Sequence, residues 1–159
     1  GRLCGCGLRG CLATVISAWA LIERVRILST IYPDSHLLKS DLSIKDIENA
    51  ALDRDPLALQ VVAEATDYLM NAITSIANLF NPDMIILGGS LSRLGDLVIN
   101  PIQERINSTA LVKDLSKTQL RRSELEPKGI AIGAATLAIE QAFSYPKILR
   151  KNLVPAVMN

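Results

Sequence analysis

The sequence has little net charge and no long apolar run, and each shortage excludes a class of protein. Its 159 residues carry a formal net charge of +1, so the chain has no overall field that would attract nucleic acid or a membrane surface. No apolar stretch approaches the roughly 20 residues that span a bilayer. The N-terminus resembles neither a secretory signal nor a natural initiator. These features predict a processed or truncated chain with no membrane partner.

Histidine is almost absent, which limits the catalytic chemistry that can be assigned. The only histidine, His36, has no identifiable catalytic partner and is interpreted as a loop residue. No pair of carboxylates and no Ser/His/Asp or Cys/His arrangement can be argued from the sequence. The single tryptophan, Trp19, lies on the apolar stripe of a predicted helix, so we expect it in the core and not at a stacking platform. No catalytic residue is assigned.

Cysteine is absent from residues 12–159, but Cys4, Cys6 and Cys11 all lie within eight residues. Their odd number, the size of the chain and the missing signal disfavour a disulfide framework. Three unrelated structural thiols are the simple alternative, but glycines alternate with the cysteines here. Three thiolates at this spacing form a compact cluster of soft ligands, and structural zinc sites take four ligands. We predict a reduced, cytoplasmic protein with a zinc site whose fourth ligand comes from elsewhere.

Hydrophobic periodicity predicts a helix-rich α/β chain. Ser43 and Asp55 are expected to cap two of its helices, the second of which has a proline at its first position. The helix over 130–143 has almost no polar face, so we expect it to be buried. A segment at 118–125 is ambiguous and is compatible with an exposed strand. Helices are predicted over 12–30, 43–52, 56–80, 94–107 and 130–143, and a fully buried strand over 84–87.

A glycine pair, Gly88 and Gly89, follows the predicted strand and precedes a helix. Backbone N–H groups can meet a ligand in this geometry. A glycine pair also makes tight turns without any ligand, and by itself it favours the structural interpretation.

Three segments together resemble the ROK family, which includes sugar kinases, bacterial repressors and proteins of unknown role. The signature C-x-C-G-x-x-G-C-x-E matches residues 4–13, except at its last position. Residues 81–89 are similar to the N-P-x-x-I-x-L-G-G segment of the family, and residues 129–135 are similar to its C-terminal G-A-A helix. The order and spacing of the segments also fit, and the resemblance covers nearly the whole chain.

The resemblance implies the C-terminal lobe of an actin-like, hexokinase-like ATPase fold, which is helix-rich with a small buried sheet. Residues 1–143 would be most of that lobe and 144–159 a tail, and the N-terminal lobe and any DNA-binding head would be absent. The family implies zinc on Cys4, Cys6 and Cys11, with an upstream histidine as the absent fourth ligand. It also implies that Gly88 and Gly89 form the turn near the adenosine of a nucleotide in kinase members.

One departure from the family pattern bears on function. The family glutamate that hydrogen-bonds sugar hydroxyls is replaced by Ala13. Loss of a hydrogen bond to a charged group weakens binding by roughly 1.5–3 kcal/mol. A working sugar kinase would therefore lose much of its affinity for the sugar. Residues 140–146 also resemble the tails of ROK repressors. The resemblance therefore implies the effector-sensing, dimerising part of a transcriptional regulator of sugar metabolism.

That interpretation implies a homodimer, a small sugar effector and DNA contact only through an N-terminal domain outside this chain. The alternative is the C-terminal part of an ATP-dependent, glucokinase-like sugar kinase, which would be inactive as these 159 residues alone. ATP is a cofactor only in that alternative. A third possibility is a sugar-binding or structural protein that has lost both DNA binding and catalysis.

Overall fold

A computed structural model describes residues 1–109, 118–125 and 128–144 of the protein. The chain divides into two compact units, Gly1–Ser123 and Glu124–Asn159. The predicted tail lies almost entirely outside the described residues, and the boundary that we placed at 143/144 stays a prediction. No helix within the described ranges is long and apolar enough to cross a membrane.

The first unit is mainly helical, and its described residues include one parallel strand pair. A long central helix, α4, contacts α1, α2, α3 and α5. The elements in chain order are α1 (Ala13–Ile16), α2 (Ala18–Leu28), α3 (Ile44–Leu52), α4 (Pro56–Phe80), β1 (Met84–Leu87), a 3₁₀ helix (Ser90–Leu94), α5 (Asp96–Thr109) and β2 (Gln119–Arg122).

The predicted caps of α3 and α4 are confirmed. The Asp46 carboxylate accepts hydrogen bonds from the backbone N–H of Ser43 at 2.8 Å and from its hydroxyl at 2.6 Å. Asp55 accepts the backbone N–H of Ala58 at 3.0 Å, at the start of α4. Such side chains satisfy helix N–H groups that have no partner within the helix.

The predicted helix over 12–30 is interrupted at Ser17. This residue is extended, and its side chain accepts the N–H of Ala20 at 3.3 Å, so that α2 starts anew after the short α1. A serine can offer the backbone this alternative to continuing a helix. Trp19 was expected in the core, but it is 61% exposed. The buried face of α2 is instead formed by Ala20, Leu21, Val25 and Leu28.

The strand at 84–87 is present but is not fully buried, which corrects the prediction. Met84 and Ile86 are exposed on one face, while Ile85 packs against the core. The ambiguous segment forms β2, which pairs in parallel with β1 so that Ile85 lies opposite the buried Leu120. A continuous apolar run leaves the burial of each face undetermined, because burial depends on what packs against it.

The second unit contains α6 (Gly129–Ser144), close to the predicted helix. None of its residues is buried, contrary to our expectation. A helix buries an apolar face only against another element, and α6 is the only helix or strand of this unit in the part of the chain that the structure describes.

Candidate metal centre and sheet edge

The cysteine loop folds back on itself before α1. Leu3 and Arg9 form an antiparallel bridge, and the backbone N–H of Cys4 donates to the carbonyl of Leu8 at 2.8 Å. Gly7 and Gly10 take positive φ angles of 86° and 78°, a conformation that favours glycine. The glycines between the cysteines therefore permit the turns that bring the thiols together.

The sulfur atoms of Cys4, Cys6 and Cys11 lie within 4.8 Å of one another. The Cys6 and Cys11 Sγ atoms are 3.6 Å apart. In a tetrahedral site with Zn–S bonds of about 2.3 Å, neighbouring sulfurs lie roughly 3.8 Å apart. The three thiols therefore fit a soft metal ion such as zinc with little rearrangement.

The pKa values of Cys6 and Cys11 shift in opposite directions because of the hydrogen bonds in the cluster. The backbone N–H of Leu8 and the thiols of Cys4 and Cys11 lower the pKa of Cys6. Hydrogen bonds to Cys6 and Cys4 raise the pKa of Cys11 to about 11. Such a cluster loses a first proton readily and a later one with difficulty, and a metal ion would replace those protons as the counter-charge.

Three protein ligands leave one position of a tetrahedral site to be filled. Within residues 1–109, 118–125 and 128–144, this is the one group of three or more histidine, cysteine or acidic residues with metal-binding geometry. His36 is exposed, lies outside this group, and its backbone N–H donates to Asp55 at 3.1 Å. The structure therefore brings together the three predicted ligands and leaves His36 apart.

Ala13 is the first residue of α1 and is exposed, two positions after Cys11. The Thr14 hydroxyl donates to the Cys11 carbonyl at 2.7 Å, and the Thr14 N–H donates to the same oxygen at 2.9 Å. These bonds fix the start of α1 against the cysteine loop. The position where the family pattern has a carboxylate is thus held close to the thiols but offers only a methyl group.

The glycine pair follows β1 as predicted. Gly89 has a φ of 90° and precedes the 3₁₀ helix, and its carbonyl accepts the Ser92 hydroxyl at 2.7 Å. A Cβ added at Gly89 would meet nothing within 4 Å, but the positive φ would strain any other residue there. The glycine is thus explained by the turn itself, and its role toward a nucleotide stays a prediction.

Sequence reasoning missed the long-range ion pairs of the first unit. Arg93 makes a bidentate pair with the buried Glu48, with distances of 2.6 and 3.0 Å. Arg24 pairs with Glu64 in the same way, at 2.6 and 2.9 Å. The partners are 45 and 40 positions apart, so that no local pattern in the sequence could have indicated them.

The profile of the ROK family matches residues 1–141. A glucokinase of Halalkalibacterium halodurans is 34% identical over 152 residues, which cover 92% of this chain and 46% of the relative. The DNA-binding transcriptional dual regulator NagC of Escherichia coli is also 34% identical, over 86% of this chain and 34% of its own length. The chain therefore spans between a third and a half of these relatives.

A solved structure of a ROK family member has a similar fold. The ROK family glucokinase of Streptomyces griseus, in complex with glucose and AMPPNP, superposes with a TM-score of 0.73 at 27% identity. The match covers 86% of this chain and 47% of the glucokinase chain. The architecture is that of an actin-like ATPase fold, as the sequence motifs predicted.

Proposed function

The chain belongs to the ROK family, and we propose that it is the effector-sensing part of a transcriptional regulator of sugar metabolism. The observation that carries the proposal is Ala13, which replaces the family carboxylate beside the cysteine loop. A kinase that must orient a sugar hydroxyl for phosphoryl transfer depends on such a charged hydrogen bond. A regulator needs only a difference in affinity between two conformations, and a weaker contact can supply it.

In this proposal the protein is cytoplasmic and acts as a homodimer, and the DNA is read by a segment outside these 159 residues. A sugar bound near the cysteine loop would favour one arrangement of the lobes and so change the spacing of two DNA-reading segments. Sedimentation of the full-length protein at micromolar concentration tests the dimer. A strict monomer across that range contradicts it.

The proposed zinc ligands are Cys4, Cys6 and Cys11, supported by the clustering of their sulfur atoms. Zinc would supply a fixed tetrahedral centre that ties the loop to the start of α1 and so to Ala13. The thiols would be deprotonated on binding, and Thr14 would keep α1 oriented through its bonds to the Cys11 carbonyl. No reaction step is assigned to the metal.

A sugar kinase is the second candidate, because a glucokinase is as similar to this chain as the regulator is. Two assays of the full-length protein distinguish a sugar kinase from a regulator. One measures ATP-dependent phosphorylation of a panel of sugars, and the other measures sugar-dependent DNA binding. DNA binding that a sugar alters, without phosphorylation, supports the regulator. Phosphorylation at the rates typical of enzymes, about 1–1,000 per second, overturns it.

A further inference from the structure

Two sulfur atoms of the cysteine loop lie close enough to react with each other. The Sγ atoms of Cys6 and Cys11 are 3.6 Å apart, and both cysteines are free thiols in the structure. A disulfide bond is about 2.05 Å long, so the two atoms would have to approach by roughly 1.5 Å to become bonded. A change of side-chain rotamer covers a movement of that order.

The backbone between these two cysteines can adjust to such a bond. Residues 5–10 are exposed, and Gly7 and Gly10 have positive φ angles of 86° and 78°. A Cβ added at Gly7 would meet nothing within 4 Å, and glycine moves between backbone conformations at little steric cost. The loop can therefore follow the sulfur atoms without displacing a buried side chain.

Cys6 is the thiol that is most accessible to solvent. It is exposed, while the other two cysteines are half-buried. The loop also carries the basic residues Arg2 and Arg9, and the first acidic residue of the sequence is Glu23. Exposed cysteines in basic surroundings are the ones that react with oxidants. Redox-sensitive cysteines often lie beside a second cysteine that completes a disulfide, and Cys11 has that position here.

We propose that Cys6 and Cys11 form a site of reversible oxidation, at which a hydroperoxide such as hydrogen peroxide converts their thiols to a disulfide. The Cys6 thiolate attacks one peroxide oxygen, so that an S–O bond forms, the O–O bond breaks and hydroxide leaves. The Cys11 sulfur then attacks the Cys6 sulfenic acid. The S–S bond forms, the S–O bond breaks, and the departing hydroxide takes the Cys11 proton and becomes water. Two thiols and one hydrogen peroxide thus give one disulfide and two molecules of water.

This disulfide would remove two of the three proposed metal ligands. Zinc is held by thiolates, so the oxidised loop would keep only Cys4 as a ligand and would release the ion. Release rests on the zinc ligands proposed above, whereas the disulfide needs only the thiols of Cys6 and Cys11. The Cys11 carbonyl also accepts the Thr14 hydroxyl at the start of α1, so oxidation changes the loop that positions Ala13. Thiol reductants reverse an exposed disulfide of this kind.

The test is peptide mapping of the full-length protein, purified in the presence of zinc, before and after exposure to excess hydrogen peroxide. Remaining thiols are blocked with iodoacetamide, and the protein is digested with trypsin. Trypsin cleaves after Arg9, so Cys6 and Cys11 fall in separate peptides, residues 3–9 and 10–24. We expect peroxide to link these two peptides and dithiothreitol to separate them. Zinc released in parallel is measured with a chromogenic chelator, and its amount should match that of the linked peptides.

Each cysteine provides a variant that reports on its own role. Cys11→Ser should leave the peptides unlinked and allow the Cys6 sulfenic acid to be trapped with dimedone, whereas Cys6→Ser should give neither product. Cys4→Ser is the matched control and should still form the link. The wild-type map needs no substitution, so the loss of folding in a variant cannot obscure the result. Unlinked peptides in the wild type, a disulfide between Cys4 and Cys6 within one peptide, or a link that persists in Cys6→Ser overturns the proposal.

The oxidation site and the zinc site fail in different ways. Linked peptides from a protein that holds no zinc when reduced support the oxidation site and refute the zinc ligands. Bound zinc with unlinked peptides supports the zinc ligands and overturns the oxidation site. Zinc that stays bound after Cys6 and Cys11 are linked contradicts the proposed ligands, because a disulfide sulfur is no longer a thiolate.

Discussion

Cys6 and Cys11 are five positions apart in the sequence, yet their sulfur atoms lie 3.6 Å apart. With Cys4 they form the donor set proposed for zinc. Replacing Cys11 with serine should reduce bound zinc in the full-length protein from one ion per chain to a small fraction, because a neutral hydroxyl is a far weaker zinc ligand than a thiolate. Elemental analysis after dialysis measures this. The control is His36→Ala, which should keep the full zinc content because His36 lies outside the cluster. Full zinc in Cys11→Ser contradicts the assignment.

Ala13→Glu tests why this chain departs from its family. A carboxylate at the start of α1 would supply a charged hydrogen bond to a sugar hydroxyl, worth roughly 1.5–3 kcal/mol. Sugar affinity of the full-length protein, measured by calorimetry, should therefore rise about ten- to a hundredfold for at least one sugar. Ala13→Gln is the matched control and should give a smaller gain. Unchanged affinity for every sugar in the panel would show that position 13 lies outside the sugar site.

Asp55 is a buried N-cap of α4, and its replacement should destabilise the folded protein. Its carboxylate accepts the Ala58 N–H, the Ser35 hydroxyl and the His36 N–H. Asp55→Ala should lower the free energy of unfolding by about 1–2 kcal/mol, measured by urea denaturation at neutral pH. Asp55→Asn is the control and should lose less, because an amide oxygen can still accept from Ala58.

The same carboxylate predicts how stability depends on pH. Burial raises the pKa of Asp55, but the hydrogen bonds from Ala58, Ser35, His36 and Leu57 outweigh it, so that the pKa is below its usual value. A carboxyl group whose pKa is lower in the folded than in the unfolded protein stabilises the folded state at pH values above its unfolded pKa, which is about 3.9 for aspartate. This stabilisation is lost as the pH falls from the unfolded pKa through the folded pKa. The stability difference between wild type and Asp55→Asn should therefore narrow below about pH 4. A constant difference from pH 7 to 3 would contradict this.

The two bidentate ion pairs differ chiefly in how exposed their carboxylates are, so that their arginines can be compared directly. The Glu48 side chain is 11% exposed and that of Glu64 is 30% exposed. Arg93→Met leaves the nearly buried Glu48 carboxylate without this partner and should lower the free energy of unfolding by about 3 kcal/mol. Arg24→Met should lower the free energy of unfolding by less than about 1 kcal/mol, because solvent screens the Glu64 carboxylate that remains. Chemical denaturation of both variants measures the difference, and equal costs would refute the argument from burial.

The helix boundaries that were predicted well depend on neighbours in the sequence. Ser43 with Asp46, and Asp55 with Pro56, act within one helical turn, so that a short window of sequence specifies them. The three cysteines could also be identified as one cluster, because glycines at the positions between them permit the turns.

The predictions that were wrong concern burial, which depends on distant elements. Trp19 fits the apolar stripe of α2, but the break at Ser17 changes which residues face the core. Ile86 belongs to an apolar run, yet its face of the sheet is exposed. The Arg93–Glu48 pair and the pairing of β1 with β2 are set by packing across dozens of residues, which periodicity alone cannot predict.

The most direct test of the regulator proposal is selection of genomic DNA by the full-length protein, followed by sequencing of the retained fragments. The account predicts enrichment of a few sites that share a sequence, with no enrichment by the 159-residue chain alone, whose net charge is only +1. Retention by the full-length protein that does not exceed that of the 159-residue chain would contradict the account.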